Sequence, residues 1–260
     1  MSSLITRRGL LTAGIAGAAG LSGAAYLAGR YGLIPPDSAG IYGVSETLTY
    51  ASQRLLMSGL PLAREFKRNQ ISKATPVNGV PPEEEIYKRW LSSGFADWRL
   101  TVDGLVARPM SFSLADLKRL PSESHITLLA CEEGWSYIAE WTGVRLSTIL
   151  EMVGTRPDAR YAVFTPLPNR NRIGRVARDL WDSHDMADAL HPQTLLAYGM
   201  NGEDLSPGHG APVRLRVARH FGYKNTKFFS KITLTDSMAK FGKGRGSRAA
   251  EGGNTWYGGI

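Results

Sequence analysis

The chain has 260 residues, of which 43% are hydrophobic and 21% charged, the composition of an ordinary soluble globular protein with one large domain or two small ones. Its 31 Lys and Arg residues against 23 Asp and Glu give a net charge of +8, but they are spread along the chain without interleaved aromatic residues, which argues against a nucleic-acid partner. A single cysteine, Cys131, excludes an intramolecular disulfide.

Residues 1–30 have the pattern of an export signal. Arg7 and Arg8 precede an uncharged run over residues 10–29 that is rich in Ala, Gly and Leu. Paired arginines before a weakly hydrophobic, glycine-containing stretch predict the twin-arginine route, which delivers folded proteins to the periplasm. The alternative is an uncleaved membrane anchor, since about 20 residues are enough to span a bilayer. The glycines favour the signal.

Residues 31–95 contain many helix and strand breakers, among them Pro35-Pro36, Asn78-Gly79 and Pro81-Pro82. We expect an irregular arm that wraps over a catalytic domain of residues 96–240. Within that domain, Asp103-Gly104 between two short apolar runs predicts a hairpin turn. Ser113 predicts the cap of a short helix that ends before Pro121.

A strand over residues 125–130 is predicted to end at Cys131. The elements expected after it are a helix over 146–153 that Gly154 stops, a strand over 161–165, a helix over 179–190, and strands over 195–200, 213–217 and 227–235. Strands and helices do not alternate regularly, which predicts an α+β fold with mixed β-sheets and interspersed helices. The Gly-rich tail, residues 241–260, is expected to be ordered only if Trp256 and Tyr257 dock on the domain.

Cys131 is the first candidate for chemistry. A lone cysteine is most often a small buried hydrophobic residue, but this one lies at a predicted strand end and is followed by Glu132 and Glu133. Neighbouring acids raise a thiol pKa, which disfavours a free nucleophile. A metal ion would deprotonate the thiol outright, and a soft sulfur suits a redox-active metal. Because no His or Cys cluster accompanies it, the remaining ligands would come from a cofactor.

A second candidate site combines glycine turns with cations. Gly208 and Gly210 allow the backbone to approach a bulky ligand, and His209, Arg214 and Lys227 supply donors for a phosphate or another anion. The alternatives are a turn histidine bonded to the backbone and a solvated strand arginine.

Four motifs in this order resemble the oxidoreductase molybdopterin-binding family of sulfite oxidases, plant-type nitrate reductases and periplasmic methionine-sulfoxide reductase catalytic subunits. They lie at residues 128–135 with 141–144, at 191–202, at 209–214 and at 222–227. The resemblance implies the sulfite-oxidase molybdopterin-domain fold and a Mo-molybdopterin cofactor with Cys131 as its protein metal ligand. It also implies that Glu133 handles a proton or tunes the metal. The cofactor contacts that it implies are Asn78, Cys131, Thr165, His209, Arg214, Asn225, Thr226 and Lys227.

The sequence lies between two branches of that family. Sulfite oxidases carry an arginine-bearing run after the cysteine, whereas Glu132, Glu133 and Trp135 here are closer to the sulfoxide-reductase branch. His209 agrees with the sulfite oxidases. The resemblance implies two-electron oxygen-atom transfer on a small S- or N-oxide substrate, with sulfite oxidation as the alternative.

Electrons require a partner, because the chain has no haem or iron–sulfur motif. We expect a membrane-bound or soluble haem electron-transfer protein. Two readings from other classes stay open at this point: a Cys131-dependent hydrolase or transferase, and a non-enzymatic exported anion-binding protein.

Overall fold

The structure is a computed structural model, and it describes residues 33–40, 43–56, 62–167 and 181–260. The predicted signal at residues 1–30 lies outside the described residues. In chain order the helices are α1 (Gly43–Leu56), α2 (Glu85–Ser92), α3 (Leu114–Arg119), α4 (Leu146–Val153), α5 (Met186–Ala189) and α6 (Arg248–Glu251). The strands are β1 (Arg99–Gly104), β2 (Met110–Ser113), β3 (Ser122–Ala130), β4 (Ser136–Arg145), β5 (Tyr161–Pro166), β6 (Asp182–Asp185), β7 (Thr194–Met200), β8 (Glu203–Asp204), β9 (Arg214–Val217) and β10 (Phe229–Thr235).

The strands form two five-stranded sheets. The first has the order β2-β1-β10-β5-β6, and the second has the order β3-β4-β7-β8, in which β9 also pairs with β7. The pair β1–β10 is parallel and the other strand pairs are antiparallel. The first sheet is therefore mixed and the second is antiparallel. Few short helices accompany the two sheets, so the predicted α+β class is confirmed.

The largest core cluster joins side chains of both sheets. Leu100 and Phe164 of the first sheet are fully buried with Leu196 and Leu215 of the second, and Leu150 of α4 packs among them. Each fully buried side chain of this size stabilises the fold by roughly 1.5–3 kcal/mol. This shared core fixes the two sheets relative to each other, so that loops from both can build one site.

The predicted hairpin at Asp103-Gly104 is wrong. These residues continue β1, which pairs in parallel with β10 up to Gly104 opposite Leu234. The φ of Gly104 is +87°, and a Cβ atom there would lie 2.1 Å from the carbonyl oxygen of Leu234. The glycine therefore permits a close approach of two strands rather than a two-residue turn.

The sequence predicted a helix over residues 179–190, of which the structure describes residues 181–190. The prediction is wrong for most of these residues. Residues 182–185 form the buried strand β6 beside β5, and only Met186–Ala189 are helical, with Asp185 as the N-cap. The polar residues of β6 have none of the usual strand preferences. They are held by distant partners, including Lys224, which donates to the carbonyl oxygen of Ser183 at 2.9 Å.

Residues 33–95 contain two helices where the sequence indicated irregular structure. Helix α1 is fastened to the domain because Arg54 forms ion pairs with Asp185, at 2.7 Å, and with Asp188. Within the described part of the chain, no helix is long and apolar enough to cross a membrane.

The tail is docked through Trp256, which is 2% exposed and contacts Tyr50 and Tyr161 edge to face.

Candidate active site

A cavity of about 570 Å³ contains Cys131 in its wall. Its lining comes from several parts of the chain: the segment 76–79, the turn between β3 and β4, the end of β5, the start of β6, the loops on either side of β9, and the tail. The volume lies within the range of small-molecule and cofactor sites. The site therefore depends on contacts between segments that are far apart in the sequence.

The pairing of β3 with β4 sets the position of Cys131. Nine residue pairs join the two strands, and the turn that follows is closed by a hydrogen bond from the amide of Cys131 to the carbonyl oxygen of Trp135, at 2.9 Å. Gly134 in this turn has a φ of +92°, which only glycine adopts readily. On the other side, a Cβ atom at Gly222 would lie 3.4 Å from the carbonyl oxygen of Ala130 and 3.8 Å from Cα of Cys131, so the loop that contains Gly222 packs closely against the end of β3.

The Sγ atom of Cys131 has two polar neighbours. The side-chain amide of Asn78 donates toward it at 3.9 Å, and Oε2 of Glu132 lies 3.5 Å away. The cysteine is 7% exposed. Burial raises the pKa of the Cys131 thiol, and the negative charges of Glu132 and Glu133 raise it further. A thiol in this setting is a poor nucleophile but a suitable ligand for a cation that displaces its proton.

This pKa leads to a testable result in metal-free protein. We expect alkylation of Cys131 by iodoacetamide to be slow at pH 7.5, because little of the thiol is ionised at a pH below its raised pKa. For the same reason the alkylation rate should continue to increase between pH 8 and pH 9. Rates are read by mass spectrometry, and the single cysteine makes the signal unambiguous. Glu132→Gln should speed the reaction at pH 7.5 by removing a nearby negative charge. A rate that levels off below pH 8 in the wild type would indicate an activated nucleophile instead.

Glu133 and two aromatic rings form the rim beside Cys131. Oε2 of Glu133 accepts hydrogen bonds from Nε1 of Trp135 at 2.9 Å and from the side-chain amide of Asn78 at 3.2 Å. The Trp135 and Tyr137 rings are stacked, with 6.1 Å between their centroids. The rim therefore combines an exposed carboxylate with a flat, uncharged aromatic surface.

The predicted anion-binding residues come together, but several are already hydrogen-bonded within the protein. Nζ of Lys227 donates to the carbonyl oxygens of Asn78 at 2.7 Å and Gly208 at 2.9 Å. Arg214 donates through its two terminal nitrogens to the carbonyl oxygens of His209 and Asn225. Lys227 therefore joins the segment 76–79 to the loops around β9, and Arg214 joins the two loops on either side of β9 to each other.

His209 lies between two polar partners. Its Nδ1 is 2.8 Å from Oγ of Ser206, and its Nε2 donates to the carbonyl oxygen of Thr75 at 3.3 Å. Burial lowers the pKa of His209, and the charges of Arg214 and Lys227 lower it further. The imidazole is therefore neutral near pH 7.

Asn225 has a positioning role that the sequence did not indicate. Its side-chain oxygen accepts from the amide of Val217 at 2.8 Å and from Arg216 at 3.0 Å. Arg216, which is 1% exposed, also donates to the carbonyl oxygen of Leu128 and to Oγ1 of Thr127, both on β3, the strand directly before Cys131. The sequence does contain a signal that could have identified Arg216. It lies two residues after Arg214, in a strand whose alternate residues are apolar.

Thr165 lies apart from the other predicted residues. It is exposed on β5 and is not part of the cavity wall, to which this strand contributes Pro166 and the following Leu167. The geometry gives no support to its prediction as a cofactor contact. Tail residues also line the cavity, and no sequence pattern had indicated them as site residues.

Two buried polar atoms in the cavity wall lack partners among the described residues. They are Nε of Arg214 and Oγ1 of Thr226, whose residues are 5% and 6% exposed. Buried polar groups normally have hydrogen-bond partners, so these atoms are suited to a polar ligand. With a cysteine sulfur in the same wall, the donor set fits a bulky cofactor that bears both an anionic group and a metal.

The described residues of this cavity do not include a group of side chains that could hold a metal ion without a cofactor. Among the described residues, the one group of three or more His, Cys, Asp or Glu side chains with suitably close ligand atoms is His184, Asp188 and His220, all buried. There the carboxylate of Asp188 is already paired with the guanidinium groups of Arg54 and Arg219. Two cations at the carboxylate oppose binding of a third.

The chain belongs to the oxidoreductase molybdopterin binding domain family, which it matches over residues 89–241. It is thus a molybdopterin-dependent oxidoreductase, and Mo-molybdopterin is its cofactor. A protein of Azospira oryzae named as a protein-methionine-sulfoxide reductase subunit, YedZ1, is 33% identical over 198 residues, 76% of this chain and 68% of that protein.

Two catalytic subunits of protein-methionine-sulfoxide reductase, both named MsrP, are also similar. The Campylobacter jejuni protein is 30% identical over 55% of this chain and 51% of its own length. The Ralstonia nicotianae protein is 33% identical over 54% of this chain and 44% of its own length. The chain therefore spans about half the length of these two relatives. Among solved structures, the sulfane dehydrogenase SoxCD of Paracoccus pantotrophus matches with a TM-score of 0.49 and 25% identity, over 54% of this chain and 39% of that one.

Proposed function

We propose that this protein reduces a neutral sulfoxide to the thioether, in which the S=O bond breaks and two electrons and two protons convert the oxygen to water. The observation that carries the proposal is the Cys131 cavity, whose rim presents two acids and stacked aromatic rings. The relatives named as methionine-sulfoxide reductase subunits support the same substrate class.

The negative charge at the rim of the Cys131 cavity distinguishes a neutral sulfoxide from the sulfite anion. Glu132 and Glu133 are both exposed beside Cys131, and their charges repel an anion that approaches the sulfur. A neutral sulfoxide meets no such barrier, and its apolar substituents can pack against the Trp135 and Tyr137 rings. Reduction of a neutral S-oxide is therefore favoured over oxidation of sulfite.

The chain's own residues have separate roles. When bound, the molybdenum cofactor would supply the two-electron redox chemistry of the reaction. Cys131 is the metal ligand in this proposal, and the amide of Asn78 orients its sulfur. The side-chain amide of Asn78 also donates to Oε2 of Glu133 at 3.2 Å. In this position the exposed carboxylate of Glu133 can pass a proton between solvent and the cavity. The aromatic wall excludes water from one side of the substrate.

The electrons come from a separate partner in this proposal. Several relatives are named as subunits, which supports a partner subunit, and we propose a membrane-bound or soluble haem protein. We also propose export to the periplasm by the twin-arginine route, with residues 1–30 as the signal. Replacing both Arg7 and Arg8 by lysine should abolish export, whereas normal export of that variant would refute the route.

The deciding experiment uses full-length protein from a host that makes molybdopterin. Metal analysis should give about one molybdenum per chain, and the protein should oxidise a reduced viologen dye with methionine sulfoxide, free or within a peptide. Sulfite with ferricyanide as the electron acceptor tests the second candidate function, sulfite oxidation. His209 favours that function because sulfite oxidases also have a histidine at this position. Rapid sulfite oxidation without sulfoxide reduction would overturn the proposed substrate class, and protein without molybdenum would overturn the proposal as a whole.

A further inference from the structure

Helix α1 carries an exposed apolar stripe. Val44, Leu48 and Leu55 are 78%, 64% and 65% exposed, and Ala51 lies between them in the helix. Spacings of four, three and four residues place these four side chains on one side of an α-helix. Single exposed leucines are common on protein surfaces, whereas a continuous apolar stripe marks a surface that binds another surface.

The stripe is not needed to hold α1 on the domain, because another side of the helix does so. Tyr50 is buried, and its hydroxyl donates to the carboxylate of Asp185 at 2.5 Å. Arg54, four residues later and therefore on the same side as Tyr50, forms its ion pairs with Asp185 and Asp188. The helix is thus docked while its stripe remains largely exposed among the described residues.

A basic segment, residues 62–73, follows the helix. Its acid, Glu65, already forms hydrogen bonds with His125 at 2.8 Å and with Gln193 at 3.0 Å. Leu62 at the start of the segment is 61% exposed. The segment has four exposed cations and a net charge of +3, and the cations are Arg64, Lys67, Arg68 and Lys73.

The basic segment and the last turn of α1 are attached to the same part of the domain. The side chain of Gln193 accepts from the amide of Ala63 at 2.7 Å. The hydroxyl of Thr194 donates to the carbonyl oxygen of Asp188 at 2.6 Å, and the carboxylate of Asp188 pairs with Arg54 in the last turn of α1. Residues 188–194 therefore keep the cations beside the apolar stripe.

An apolar helix stripe with cations beside it has the chemistry of a lipid-binding surface. The apolar side of such a helix enters the boundary between headgroups and acyl chains, and the cations attract anionic headgroups. The net charge of the chain, +8, has the same sign. A second copy of the chain fits this surface less well, because the same cations would repel each other across a symmetric interface.

We propose that the stripe of α1 and the basic segment together bind the surface of a membrane that contains anionic lipid. Both lie before residue 89, where the family match begins, and neither lines the Cys131 cavity. The inference therefore goes beyond the proposed function and does not depend on it.

The test uses full-length holoenzyme and hydrogen exchange, which reports on α1 itself whatever residues 1–30 contribute to vesicle binding. Vesicles of phosphatidylcholine and phosphatidylglycerol in equal parts should slow exchange of the α1 amides, whereas vesicles of pure phosphatidylcholine should have little effect. Added salt should weaken the slowing because it screens the cations. The amides of α2 should exchange at the same rate throughout.

Variants separate the two parts of the surface. Leu48→Ser combined with Leu55→Ser should abolish the slowing and lower the affinity for the anionic vesicles at least about tenfold, because apolar burial is lost. Arg64→Gln combined with Lys67→Gln should remove most of the preference for phosphatidylglycerol. Leu91→Ser, an exposed leucine of α2, is the matched control and should bind as the wild type does.

The outcomes are distinct from those of the proposed function. The Tm of each variant shows whether it folds, and dye-dependent sulfoxide reduction in solution should be unchanged in the leucine variant. Exchange of α1 that vesicles do not alter would overturn the inference. A wild-type dimer that the leucine variant dissociates, without any effect of vesicles, would also overturn it and assign the stripe to a second copy. A protein without molybdenum that still binds anionic vesicles through α1 would contradict the proposed function alone.

Discussion

Replacing Cys131 by alanine is expected to reduce sulfoxide reduction by at least about 100-fold and to remove most of the bound molybdenum. Loss of a residue that merely supports a metal ligand typically costs 10–100-fold in affinity or activity, and Cys131 is the one cysteine in the chain. Among the described residues that line the cavity there is no second sulfur ligand to replace it. Turnover with a viologen dye and molybdenum per chain are the two measurements.

Two variants make this result specific. Cys131→Ser keeps the size of the side chain but provides a hard oxygen, so it should lose molybdenum nearly as fully as Cys131→Ala. Glu133→Gln removes the carboxylate, and it should retain molybdenum while turnover falls. Full molybdenum content and full activity in Cys131→Ala would show that the sulfur is not the ligand.

Replacing Asp188 by asparagine is expected to lower the free energy of unfolding by about 3–5 kcal/mol, the typical cost of removing one partner from a buried ion pair. Asp188 is 1% exposed and pairs with Arg54, with Arg219 at 2.9 Å and with His220 at 2.8 Å. The change would leave two guanidinium groups buried without that carboxylate. Urea unfolding of metal-free protein measures the difference. Asp158→Asn, in the exposed pair with Arg156, is the control and should cost no more than about 1 kcal/mol.

The loss of stability in Asp188→Asn should depend on pH in a defined direction. Although burial raises the pKa of Asp188, the charges of His220 and Arg54 hold it well below its ordinary value. A carboxylate with a lowered pKa stabilises the folded state above its unfolded pKa, and this contribution is lost as the pH falls through the folded pKa. The difference between wild type and Asp188→Asn should therefore be full at pH 7 and should shrink below about pH 4. A difference that does not change between pH 7 and pH 3 would contradict the assignment.

Local signals in the sequence predicted many elements because their causes are local. Ser113 and Asp116 form the predicted capping box, and Gly154 ends α4 in the left-handed conformation. The strand β6 was missed because its polar residues are stabilised by Lys224 and Gly246, which come 40 or more residues later. Gly104 was misread because a close strand contact and a turn both select glycine.

The site was predictable in its residue types but not in their roles. Asn78 lies near Cys131, as the resemblance implied, although 53 residues separate them. The sequence indicated Arg214 and Lys227 as free anion ligands, whereas their bonds to backbone carbonyl oxygens depend on loop positions that only the folded chain defines. For the same reason the tail's contribution to the cavity had no local signal.

The contacts of Trp256 also bear on the order in which the protein is made. Residue 256 follows Asp37, Tyr50 and the strands β1 to β10 in the chain, so its contacts with them are among the last to form as the protein is synthesised. The tail, which lines the cavity, is therefore fixed after the segments of the other walls have been made. A chain that ended before Trp256 would keep those segments but lose the contacts that hold the tail against the cavity.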